Sequence, residues 1–136
     1  MGIVIKYSSR EVELEAPTEL LRELSLAIRA AVGLRTFALP PCPHPAAPYQ
    51  GFAKSLTIEP SAGAICVSRN GEDVVLSGSR EDLLVLANNI EFLAAKPALS
   101  PTPKIPDHLH IEYYPGSTYV KKESIPLVVT RRDPVE

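Results

Sequence analysis

His108, His110 and Glu112 stand at alternate positions in "DHLHIEYYPG", residues 107–116. Successive side chains of a strand point to opposite faces. These three and Tyr114 would share one face, and Leu109, Ile111 and Tyr113 would take the other. Same-face neighbours lie roughly 7 Å apart along a strand. Two imidazoles at that spacing can converge on one metal ion, with Glu112 as a third ligand. An open fourth position would then suit a small metal-dependent hydrolase or oxygenase.

The rest of the chain argues for less. A cupin-like metal site also begins with His-x-His, but its glutamate comes further along and a later strand supplies another histidine. No histidine follows His110. His44, with Cys42 in "PCPHP", would have to fold back from a proline-rich stretch to complete a site. Neither a catalytic residue nor a bound metal or cofactor is therefore expected. The plainer readings are the polar outer face of an antiparallel strand, in a small structural or regulatory binding domain, or a recognition surface. Two tyrosines beside a Pro-Gly step, Tyr113 and Tyr114, offer the rigid amphipathic area common at protein interfaces.

The elements that must position this stretch follow from periodicity. "IVIKYS" and "EVELEA" read as short strands, the second alternating Val12 and Leu14 with glutamates. "PTELLRELSLAIRAAVG" changes period: Leu20, Leu21, Leu24, Ala27, Ile28 and Ala31 form one helical face, with Thr18 and Gly33 as expected caps. Five prolines between positions 40 and 48 exclude helix or central strand there. "SRNGEDVV" predicts a tight hairpin with Asn70 and Gly71 at its tip, in a type I′ turn. "SREDLLVLANNIEFLAA" predicts a second helix, with Ser79 and Asp82 as a capping box. A second proline-rich connection, "KPALSPTPKIP", leads into the histidine strand, and "ESIPLVVTRR" predicts a last strand around Leu127 to Thr130. "TRRD" and "VKKES" read as surface charge. No internal repeat is read. The order of hairpins and helices predicts one α+β domain over residues 1–136, a two-layer sandwich of a mostly antiparallel sheet with two helices on one face.

Composition bounds the function. The 136 residues carry a formal charge of −2, which gives no reason to expect nucleic acid. No apolar run reaches the ~18 residues that would span a membrane, and no signal-peptide pattern opens the chain. A cytoplasmic protein with Cys42 and Cys66 reduced is expected. An exposed strand edge would let two copies pair as a homodimer.

The C-terminal stretch "DHLHIEYYPGSTYVKKESIPLVVTRRD" resembles immunity proteins of bacterial polymorphic toxin systems, in particular the family numbered thirty-two. The resemblance rests on His110, Glu112, Tyr113, Tyr114 and Pro115, then Tyr119, then Ser124, Pro126, Leu127 and Val128. Ser117 and Thr118 stand where the family pattern often has a histidine. The resemblance implies a protein that binds a cognate toxin and occludes its active site, with no chemistry of its own. Glu112, Tyr113, Tyr114, Tyr119 and His110 are then the candidate contacts.

Overall fold

The computed structural model describes residues 2–97 and 107–133. Nine strands and two helices follow in the order β1 (Val4–Tyr7), β2 (Val12–Ala16), α1 (Thr18–Ala30), β3 (Arg35–Ala38), β4 (Gly51–Phe52), β5 (Ser55–Pro60), β6 (Cys66–Asn70), β7 (Asp73–Gly78), α2 (Arg80–Ala95), β8 (His108–Ile111) and β9 (Leu127–Arg131). The expected α+β sandwich is the architecture found. Its strands divide between two mixed sheets, ordered β4-β1-β2-β9-β8 and β3-β5-β7-β6. Most neighbours are antiparallel; β2 with β9 and β5 with β7 run parallel. Alternate residues of both sheets enter one apolar cluster with the helix faces, among them Ile5, Val12, Leu14, Leu56, Ile58, Val67, Leu76, Leu24 and Leu86. The second proline-rich connection lies mostly outside the described residues.

A repeat is present after all, and it organises the fold. In each sheet a hairpin (β1-β2 or β6-β7) runs straight into a helix. The hairpin's second strand lies parallel to a strand that the other half contributes (β9 or β5), which in turn pairs antiparallel with an edge strand (β8 or β3). The chain therefore exchanges its third and fourth strands between halves. The two hairpin-helix units align in sequence at a spacing of 62 residues, the separation of Ser25 from Ala87 and of Arg29 from Glu91. These mates touch each other, as residues beside a two-fold axis would. The Ser25 hydroxyl donates to the Ala87 carbonyl at 2.9 Å, and Arg29 meets Glu91 at 2.6 Å. Arg69 also lies over the ring of its own mate, Tyr7, at 4.2 Å. At that spacing Ile3 matches Ile65, Val12 matches Val74, Leu14 matches Leu76, Leu21 matches Leu83, Leu24 matches Leu86 and Ile28 matches Ile90, all buried. The identities fall on inward positions except for the exposed pair Glu19 and Glu81, and they never form a contiguous run.

The helices run antiparallel. Arg80 at the start of α2 donates to the carbonyls of Ala31 and Arg29 at the end of α1. At the opposite end, Arg131 and Asp133 join the start of α1 to the end of α2. The Asp133 carboxylate accepts from the Thr18 amide at 2.9 Å and the Thr18 hydroxyl at 2.8 Å. Pro17, not Thr18, is the N-cap and offers no side-chain acceptor, so a residue from the far end of the chain supplies it. The C-cap is Ala31 instead of Gly33. Arg131 donates to Asp133 at 2.7 Å and to the carbonyls of Leu93, Ala94 and Lys96. "TRRD" is thus not wholly surface: Arg131 is buried, because the last turn of α2 has no basic residue of its own and its carbonyls need donors. At the other end of α2 the expected capping interaction is present, the Asp82 amide donating to the Ser79 hydroxyl at 3.1 Å.

The β6-β7 hairpin forms one residue later than expected. Asn70 pairs with Asp73, so Gly71 and Glu72 are the central residues. Gly71 has φ +62°, and among the described residues none other than glycine has positive φ. A type I′ turn needs positive φ at both central positions; a type II′ turn needs it at the first only, where glycine stands. A Cβ at Gly71 would meet nothing within 4 Å. Gly71→Val should therefore cost only its backbone strain, about 1–2 kcal/mol. A denaturant midpoint equal to the parent's would contradict this turn.

Candidate functional site

β8 ends the five-stranded sheet and pairs with β9, His108 opposite Thr130, His110 opposite Val128 and Ile111 opposite Leu127. Alternation places its side chains as the sequence suggests. Ile111 is buried, and Leu109 and Tyr113 pack partly buried against the core. His108, His110, Glu112 and Tyr114 are exposed, Tyr114 by 64%. The two imidazoles meet edge to face with centroids 4.9 Å apart. Among the described residues no three His, Cys, Asp or Glu side chains gather where they could hold a metal ion. Cys42 and Cys66 form no disulfide.

Glu112 borders a cleft of about 390 Å³ with Ser8, Arg10, Glu11, Pro48, Tyr49 and Pro126. Here the β1-β2 turn and the proline-rich loop come beside the end of β8. The Tyr49 hydroxyl donates to the Glu11 carboxylate at 2.6 Å. Burial, then the Glu11 hydrogen bond, holds that phenol protonated well above its ordinary range. Lys6 sits 5.4 Å from the Tyr49 ring centroid and pairs with Glu13 at 3.0 Å and Glu15 at 3.6 Å. The glutamates of "EVELE" are therefore partly paired on their outer face, and Glu112 faces the cleft with no ion-pair partner among the described residues. Nothing in "EYYPG" announces Arg10, Glu11 or Tyr49; only the fold brings them together.

Tyr119 stands apart from this strip. It packs against the core with its hydroxyl sealed from solvent. Burial pushes its pKa up to about 12. Asn89 is near enough to ease the phenolate slightly, but no hydrogen bond of ordinary geometry joins them. The backbone around Tyr119 explains the placement: the Ile65 amide donates to the Tyr119 carbonyl and the Lys121 amide to the Ile65 carbonyl, each at 2.8 Å, which laces this segment to the second hairpin. Ser124 does the same from a buried side chain, accepting from the Val67 amide at 2.8 Å. Of the five nominated contacts, His110, Glu112 and Tyr114 face outward, whereas Tyr113 and Tyr119 belong mainly to the packing.

Residues 73–132 match the family model described as Immunity protein 32. The match runs from β7 through α2 and β8 to β9, and it supports the resemblance seen in residues 107–133. No curated protein matches the chain. No helix among the described residues is long and apolar enough to cross a membrane.

Proposed function

We propose that this chain is an immunity protein that acts in the cytoplasm, binding a cognate protein toxin and occluding its active site without chemistry of its own. The match of residues 73–132 to the immunity family carries this reading. The geometry supplies a means. His110, Glu112 and Tyr114 project from an edge strand anchored by Ile111 and Tyr113, so the contact side chains ride on backbone held by the core. Rigid display matters because binding loses less entropy when few side chains must be ordered. Tyrosine, as at Tyr114, is also among the residues enriched at interface hot spots.

The inward and outward sets are separable by substitution. Tyr114→Ala and Glu112→Ala should each leave the unfolding midpoint nearly unchanged while weakening toxin binding about 5- to 30-fold, or roughly 1–2 kcal/mol. Tyr113→Ala should instead lower stability, on the order of 1–2 kcal/mol for a half-buried ring. Thermal unfolding of the three variants, beside calorimetric titration with the toxin domain encoded next to the chain's gene, checks both halves. If Tyr114→Ala and Glu112→Ala bind as tightly as the parent, this strip is not the toxin's contact.

A further inference from the structure

We propose that the outward face of the helix pair is a second contact surface for the toxin, shaped for an apolar side chain flanked by two cations. It rests on the immunity reading but shares no residue with the β8 strip. α2 exposes Glu81, Val85, Asn88 and Phe92 along one stripe, and α1 exposes Glu19, Glu23, Leu26 and Ala30 along another. The steps are four, three and four residues in each, the spacing of one helix face. Position by position the stripes are mates in the repeat. Arg29 ties them together, donating to Asn88 and to Glu91 across the helix interface.

Leu26 is 65% exposed, Phe92 72% and Val85 44%. Surface apolar residues scattered singly need no explanation; three on adjoining stripes of one helix pair mark an interaction site. They do not pack into the core, so the fold gives no reason for them. The charges at the edges say what they meet. Glu19 and Glu81 are mates, each in the first turn of its helix, where a carboxylate complements the dipole. Because the helices are antiparallel and cross near Ser25 and Ala87, the two carboxylates stand at opposite ends of the face, about 18 Å apart along the helix axes at roughly 1.5 Å per residue. Glu23 adds a third acid. Arg29 is engaged with Glu91 and Arg80 with backbone carbonyls, which leaves Arg22 as the unpaired base among the described residues of these helices. Apolar side chains interspersed with Glu19, Glu23 and Glu81 are complementary to a basic surface with a protruding apolar anchor. A second copy of the chain fits poorly, since a dyad across this face would set acids against acids.

The test titrates a catalytically inactive form of the neighbouring toxin domain against Leu26→Ser/Phe92→Ser and against Glu19→Lys/Glu81→Lys. The first variant should bind at least tenfold more weakly with an unchanged unfolding midpoint, since both side chains are exposed. The second should associate more slowly at low salt, with the difference disappearing near 1 M, where the screening length is about 3 Å. Parent-like binding by both variants, with Tyr114→Ala still impaired, would overturn the helix-face assignment and leave the immunity reading standing. Failure of the parent itself to bind would overturn both. A dimer in sedimentation that Phe92→Ser converts to monomer would give the face to a second copy and also overturn the assignment.

Discussion

Arg131→Ala should lower stability by about 3 kcal/mol or more, without a change in any surface. Three carbonyls at the end of α2 lose their donor, and Asp133 loses its cation while still held at the start of α1. Leaving buried acceptors without a donor costs about 1–3 kcal/mol; the lost ion pair adds less than the roughly 3–5 kcal/mol of a fully buried one, because the Asp133 side chain is 39% exposed. Arg131→Lys should recover only part, since one ammonium cannot serve a carboxylate on one side and several carbonyls on the other. The same linkage sets an acid dependence. Burial alone would raise the Asp133 pKa, but the Thr18 amide and hydroxyl and the Arg131 guanidinium outweigh it and hold the carboxyl below its ordinary 3.8. A depressed folded-state pKa adds stability that is full above the unfolded value and is lost as pH falls through the folded one. The contribution should therefore fade below about pH 4, and Asp133→Asn should remove that part of the acid transition. Chemical denaturation of these variants from pH 3 to 7 measures both effects. A loss under 1 kcal/mol for Arg131→Ala would show that the helix ends are held by something else.

Leu24→Ala and Leu86→Ala should each cost about 3 kcal/mol, and their costs should agree within about 1 kcal/mol. Both side chains are fully buried, both occupy the same step of their helices, and large-to-small changes at such sites fall near 2–5 kcal/mol depending on how far the cavity can collapse. The repeat makes the prediction sharper than burial alone, because mates at the same helix step face corresponding elements of the fold. Equilibrium unfolding gives both values. A tolerant Leu86 beside a costly Leu24 would mean that the halves match in outline but not in packing.

The sequence makes the elements legible because their periods are clean. Val12 and Leu14 alternate with glutamates, Leu83, Leu86, Ile90 and Leu93 recur at helical steps, and Ser79 with Asp82 marks a helix start. The outward set His110, Glu112 and Tyr114 follows from alternation alone. What periodicity cannot carry is long-range pairing. The strand exchange that puts β9 beside β2 depends on which edges meet after two proline-rich connections, and no local pattern encodes it. The repeat hides because its identities, nearly all inward residues, are spaced apart by unrelated surface ones. Arg131 looks like surface charge until the missing donor at the end of α2 is known. The turn slips by one residue because Asn-Gly suits a type I′ turn locally, while Asp73 is held in register by the hydroxyls of Ser55 and Thr57. The helix face was open to the same periodic reading that found the core: Val85 and Phe92 lie off the buried stripe of α2.

The most direct test of the central claim takes the product of the gene adjacent to the chain's own as the candidate toxin and measures its inhibition against increasing amounts of the purified chain. The account predicts that toxin activity falls linearly to zero at a one-to-one ratio, that the toxin itself emerges chemically unaltered, and that its activity returns when the complex is dissociated. Full toxin activity at a several-fold excess of the chain would contradict it.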